Sequence, residues 1–214
     1  MADPIDRLID NMSRDVAPVR RLRPPLVRAT LWLAVVALVG GAVIVVWGDL
    51  HIVAARTRQP AFDVALVSAL VTGCLAVTAA FYLSLPDRPL AWALLPMPAL
   101  AVWLASSGIG CYRDWLTDRS GAWRLGESGD CFMFILAIGI PLSLALLVTL
   151  RRARPIFPRR VAILGALGAA SLAAFLLQFF HPFAITLMDL LVHATGCAVL
   201  ITLISWRPVR VLLQ

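Results

Sequence analysis

The sequence predicts an all-α, polytopic membrane protein: a bundle of six transmembrane helices preceded by a short cytoplasmic N-terminal amphipathic helix. Three observations carry that prediction. Six apolar stretches each approach the ~20 residues that a helix rising 1.5 Å per residue needs to cross the hydrocarbon of a bilayer. The segments between them segregate arginine strongly to one side. The composition is 61% hydrophobic with a mean hydropathy of +0.88. Six such helices among 214 residues leave too little polar sequence to shield them from water, so lipid takes that role.

The first element is expected in the N-terminal tail, residues 1 to 28. Asp3 before Pro4 gives an N-cap followed by proline at the first helical position. Ile5, Leu8, Ile9, Met12 and Val16 then recur at three- and four-residue spacing, which gathers them on one stripe of a short helix. Pro18 ends it, and Arg20 to Pro25 (RRLRPP) leads as extended basic sequence into the membrane. A helix of about a dozen residues is marginal alone in water, so it needs a surface. The bilayer interface is one candidate, and a groove on a cytoplasmic protein is the other. Asp3, Asp6, Asp10 and Asp15 outnumber Arg7 and Arg14 here, and anionic lipid favours a basic polar face, so the groove fits better.

The spans follow as Ala29 to Trp47, Val64 to Leu85, Leu90 to Gly110, Cys131 to Leu150, Val161 to Phe180 and Phe183 to Trp206. The first five contain no Asp, Glu, Arg or His, so their insertion places no charged side chain in lipid. Trp32, Trp47, Trp92 and Trp206 fall at span ends, where the amphipathic indole sits well. Pro96 and Pro98 interrupt the third span and Pro141 the fourth, as kinks that neighbouring helices can compensate. Gly165, Ala169 and Ala173 offer a small-residue face for close packing of the fifth. Cys74 and Cys197, inside spans two and six, read as packing residues. Residues 207 to 214 form a C-terminal tail.

Orientation follows from the arginines, since the chain has no lysine. With the N-terminus in the cytoplasm, the inner segments hold Arg7, Arg14, Arg20, Arg21, Arg23, Arg28, Arg88, Arg151, Arg152, Arg154, Arg159, Arg160, Arg207 and Arg210, fourteen of nineteen. The outer segments keep Arg56, Arg58, Arg113, Arg119 and Arg124, and the loop carrying three of these also holds Asp114, Asp118, Glu127 and Asp130. The positive-inside rule then puts both termini of this inner-membrane protein in the cytoplasm. A polar stretch of 28 residues before a long apolar run argues against a cleavable signal peptide. The net charge of +7 is scattered over short loops that meet anionic lipid, with no basic domain for direct nucleic-acid binding.

Outside the tail, the outer loop 111–130 is the one other soluble piece large enough for a specific task. Cys111 and Cys131 bracket it in an oxidising compartment, with Tyr112, Trp115 and Trp123 between them. A disulfide would close a loop with 19 residues inside, worth about 3 kcal/mol in the chain-entropy model. A reactive thiol or a soft-metal ligand is the second possibility, and two cysteines without a role the third. His181, in the turn before span six, could join Cys111 and Cys131 as a metal or redox sensor on the outer face. Asp189 and His193 are the ionisable groups deep in a span, on one helical face at i, i+4. They form either a mutually satisfied polar pair that fixes helix six, or a proton or metal step. No CxxC, HExxH, GxSxG or phosphate-binding glycine loop is present, which points to a non-enzyme with no cofactor.

The stretch LIDNMSRDVAPVRRLRPPLVRATLWL, from Leu8 to Leu33, resembles the start of the NrsF-like family of six-span membrane anti-sigma factors. Further similarities follow in order: Asp49 and Leu50, Gln59 to Phe62, Thr72 to Pro89, the cysteine Cys131 at the fourth span, and the arginine loop Arg151 to Arg160. The family pattern places a second cysteine after a histidine between spans five and six, where this chain has His181 followed by Pro182. Either Cys111 replaces that cysteine or the two-cysteine scheme does not transfer. The resemblance implies a negative regulator of an extracytoplasmic-function (ECF) sigma factor. Its tail would hold the sigma factor at the membrane and release it when a heavy metal or an oxidant acts on outer-face cysteines. Two rival functions remain: a metal-ion or proton transporter or channel with Asp189 and His193 in its path, and a membrane thiol oxidoreductase built on Cys111 and Cys131.

Overall fold

The computed structural model describes residues 4–14, 21–117 and 125–180, together with 195, 196, 198, 199, 202 and 203. Among the described residues the chain is helical, without strands. Its α-helices are α1 (Pro4–Arg14), α2 (Pro25–Trp47), α3 (Leu50–Arg56), α4 (Pro60–Leu83), α5 (Met97–Thr117), α6 (Leu125–Leu150) and α7 (Pro158–Leu177). Five stretches among them are long and apolar enough to cross a membrane: Pro25–Trp47, Pro60–Leu83, Leu90–Ile109, Phe132–Ala153 and Pro158–Leu177. The expected sixth, Phe183 to Trp206, falls mostly outside the described residues.

Proline sets where these helices begin. Pro4, Pro25, Pro60 and Pro158 each open one, because a proline there gives up an N–H that has no intrahelical acceptor and brings a φ already suited to a helix. Helices α2, α4 and α7 therefore start three or four residues before the apolar runs do. Between α2 and α4 lies a helix that the sequence reading did not contain, α3, capped by Asp49 accepting from the backbone N–H of His51 at 2.8 Å. The third span is not one helix. Leu90–Leu94 forms a 3-10 turn, the chain bends at the buried Pro96, and α5 begins at Met97. Helix α6, by contrast, runs unbroken through Pro141.

Two boundaries depart from the expected outer loop. Helix α5 continues to Thr117 and α6 starts at Leu125, so helix enters the stretch 111–130 from both sides.

Helix α4 is central. It packs most extensively on α7, carries α5 and α2 elsewhere on its surface, and α6 lies against α7. The α4–α7 crossing is made by glycine on both sides. A Cβ on Gly168 would stand 2.7 Å from Val77 Cγ2 and 3.1 Å from the Val77 nitrogen, and one on Gly73 would stand 2.8 Å from Leu172 Cγ. Around this point Ala76, Ala80, Ala166, Ala169, Ala170 and Ala173 are fully buried. Small side chains let the backbones approach where lipid offers no hydrophobic drive for association. Gly165 faces a different neighbour, the side chain of Leu146 on α6.

Helix α2 touches the rest through its first turns, where Pro25, Ala29 and Trp32 are buried. Trp32 therefore corrects the sequence expectation: it is a core residue beside α4, 9% exposed, because α2 starts at Pro25 and carries it into the second turn. Trp47 is an exposed span-end indole, and Trp92 stacks on Tyr82 with ring centroids 3.9 Å apart. Most of α2 is bare apolar surface, Leu38 being 75% exposed and Val45 81%. Such a surface needs lipid.

Several hydroxyl groups in the spans are satisfied inside their own helices. Thr72, Thr78, Ser84, Thr149 and Ser171 each donate to a carbonyl three or four residues back, so none presents an unpaired polar atom to lipid.

The ends of the bundle differ in charge. The starts of α2, α5 and α7 and the finishes of α4 and α6 meet at one end, where Arg28 reaches Thr149 and a cleft is lined by Leu83, Leu85, Arg88, Leu90, Phe157 and Arg160. Arg21, Arg23, Arg28, Arg88, Arg151, Arg152, Arg154, Arg159 and Arg160 belong to that end, against Asp87 as the acid among the described residues. At the other end the N–H of Asp49 donates to the carbonyl of Phe179 at 3.0 Å.

Candidate functional site

The tail helix α1 comes first. Eleven residues, Pro4–Arg14, place Ile5, Leu8, Ile9 and Met12 on one face, with Asp6, Arg7 and Asp10 on the remainder. The four apolar side chains are 63%, 60%, 58% and 65% exposed. Val16 lies outside the described residues. An isolated surface leucine is ordinary, whereas four apolar side chains aligned on three turns form a ridge that can enter a groove.

The root of the tail is better anchored than its sequence suggests. Arg28, in the first turn of α2, donates from Nη2 to the carbonyl oxygen of Thr149 at 2.9 Å, and its guanidinium carbon stands 5.2 Å from the centre of the Phe81 ring. Thr149 belongs to the last turn of α6 and Phe81 to the last turn of α4. The last four carbonyls of a helix lack intrahelical donors, and its C-terminus carries partial negative charge, so a cation there serves both needs. Sequence inspection placed Arg28 among the topological arginines; only the fold shows its partner 121 residues away.

The other candidates are distributed. Cys111 lies on α5 and Cys131 on α6, at the end of the bundle remote from Arg28. His181, Asp189 and His193 lie outside the described residues, as does Cys197. Cys74, on α4, is half-buried with a free thiol. Among the described residues, no three or more His, Cys, Asp or Glu side chains gather where a metal could be held. The side chains of Cys111, Cys131 and His181 are not in that set.

Helix α1, with its exposed apolar face, is followed ten residues later by α2, the first of the apolar stretches. The family model NrsF, described as negative regulator of sigma F, matches residues 12–214. The chain belongs to the NrsF family. Within that NrsF match lie all five apolar stretches, Arg28, both loop cysteines and the Asp189/His193 pair, whereas Ile5, Leu8 and Ile9 precede it. The case for those three residues therefore rests on the geometry of α1. No curated protein and no solved structure matches the chain. The family description makes this NrsF protein a negative regulator of a sigma factor, with a sigma factor as its partner.

Proposed function

We propose that the chain is an inner-membrane anti-sigma factor that sequesters an ECF sigma factor through α1 and releases it on an envelope stress signal. The observation that carries the sequestration step is the ridge of Ile5, Leu8, Ile9 and Met12, each about 60% exposed on one face of α1. Fully burying such side chains contributes roughly 1.5–3 kcal/mol each, and about three-fifths of that remains to be gained here, so four give about 4–7 kcal/mol before ordering costs. Family membership supplies the class of partner.

Orientation is proposed from charge. The end of the bundle that holds nine described arginines and Asp87 faces the cytoplasm, which puts α1 where a sigma factor is. A sixth span over 183–206 brings the C-terminus back to the same side. Its support is that the described residues 195, 196, 198, 199, 202 and 203 are helical, that Thr202 donates to the Ala198 carbonyl at 2.7 Å, and that a Cβ on Gly196 would lie 3.5 Å from side-chain atoms of Phe132 and Ile135 on α6.

The signal is proposed to be a heavy metal or an oxidant acting on Cys111 and Cys131, with His181 as a further soft-metal ligand. Thiolates suit soft metals and oxidise readily, and both cysteines sit at the far end of helices that reach the arginine-rich end.

The test is capture from membranes. Affinity purification of the tagged full chain in mild detergent retains the sigma factor, and the double substitution Leu8→Glu with Ile9→Glu loses it while the chain still inserts. Retention of the same sigma factor by the double variant would contradict sequestration through α1.

A further inference from the structure

We infer that Arg28 is a positioning residue that locks the exit of the tail to the last turn of α6, so that α6 passes displacement at its Cys131 end to the sigma-binding helix. The inference rests on the proposed capture by α1 for its consequence, but the lock itself is a matter of geometry.

Arg28 is poorly placed for α2 itself. A cation in the first turn opposes the helix dipole, so its position serves another element. That element is α6, whose Thr149 carbonyl accepts from Nη2 at 2.9 Å, with the Phe81 face of α4 beneath the guanidinium. One side chain thus joins three helices at the point where ten residues of linker lead to α1. Arg28 adds to a contact otherwise made by the buried Pro25, Ala29 and Trp32 and the half-buried Leu33 and Val36, while most of the outer part of α2 is exposed.

Helix α6 runs from Cys131 to this contact. It spans 26 residues, about 39 Å at 1.5 Å per residue, from Leu125 through Cys131 to Leu150. At 2.9 Å the hydrogen bond is short, and it weakens steeply if α6 and the start of α2 move apart.

The experiment uses the full chain in lipid nanodiscs and in cells, with R28Q, R28K and F81L as variants. Hydrogen exchange of the backbone amides from Arg28 to Trp32 is expected to quicken about tenfold in R28Q and severalfold in F81L, and R28K, which can still donate to Thr149, is expected to restore protection. In cells, R28Q is expected to capture the sigma factor as the parent does, while induction of a sigma-dependent reporter by cadmium chloride or diamide falls to within about twofold of baseline. R28K recovers induction, which a merely destabilised bundle would not show. Unchanged exchange in both R28Q and F81L, or full induction in R28Q, overturns the inference. Should R28Q fail to insert, F81L decides by the same two readouts. Failure of the capture proposal is separate: it appears as retention of the sigma factor by L8E/I9E, and leaves the exchange result to judge the lock.

Discussion

Replacing Gly168 with alanine should separate α4 from α7. The new methyl would lie 2.7 Å from Val77 Cγ2, 3.1 Å from the Val77 nitrogen and 3.3 Å from the Gly73 carbonyl oxygen. Carbon pairs settle at about 3.5–4.0 Å, so roughly an ångström must be found. Val77 cannot supply it, being fully buried and β-branched, with its χ1 held on a helix. The backbones must part, and overpacking of this kind costs about 1–3 kcal/mol. Gly73→Ala meets Leu172 Cγ at 2.8 Å, a side chain with two torsions to adjust, and belongs in the lower half of that range. Gly165→Ala meets only Leu146 Cδ2 at 3.1 Å, the tip of a flexible chain, and should cost less again. Gly108→Ala and Gly41→Ala meet nothing within 4 Å and should be neutral. Reversible unfolding in mixed micelles, titrated with denaturing detergent, gives the ranking directly. If Gly168→Ala unfolds no earlier than Gly108→Ala, the close α4–α7 crossing is not what holds the bundle.

Further outcomes follow from charge, topology and the loop cysteines. A fluorescent protein fused after Gln214 is expected to fluoresce and an alkaline phosphatase fused there to be inactive, as six spans require; the reverse pair would mean five. Cys111 and Cys131 are expected to react, after reduction, with a membrane-impermeant maleimide applied from outside, and Cys131→Ser to blunt reporter induction by metal or oxidant. An unchanged stress response in that variant would remove Cys131 from sensing. Purified chain in liposomes is expected to show no proton or divalent-cation flux above empty vesicles; flux abolished by Asp189→Asn would favour the transporter reading.

Most of the architecture was legible because lipid imposes a simple requirement, an apolar run of about twenty residues, that reads directly from composition. What that criterion cannot see is where the backbone hydrogen bonds begin. Pro25, Pro60 and Pro158 start their helices ahead of the apolar runs, and Pro96 breaks the third span into a 3-10 turn and a helix. The same limit hid the extension of α5 to Thr117 and the early start of α6 at Leu125, where polar residues continue a helix that hydropathy had ended. The helix α1 itself agrees with the spacing of Ile5, Leu8, Ile9 and Met12, since three- and four-residue intervals share a helical face. The role of Arg28 was not legible, because its partners on α4 and α6 are brought to it only by the fold. The glycine crossing was half legible: a small-residue face on α7 was expected at Gly165, but the closest approach is at Gly168, set by which face α4 occupies.

The decisive measurement is promoter silencing by a chain lacking residues 1–15, expressed at the parent's level in the same membrane. Loss of silencing, with the sigma factor freed into the soluble fraction, is the expected result. A truncated chain that still silences the promoter would contradict capture by α1.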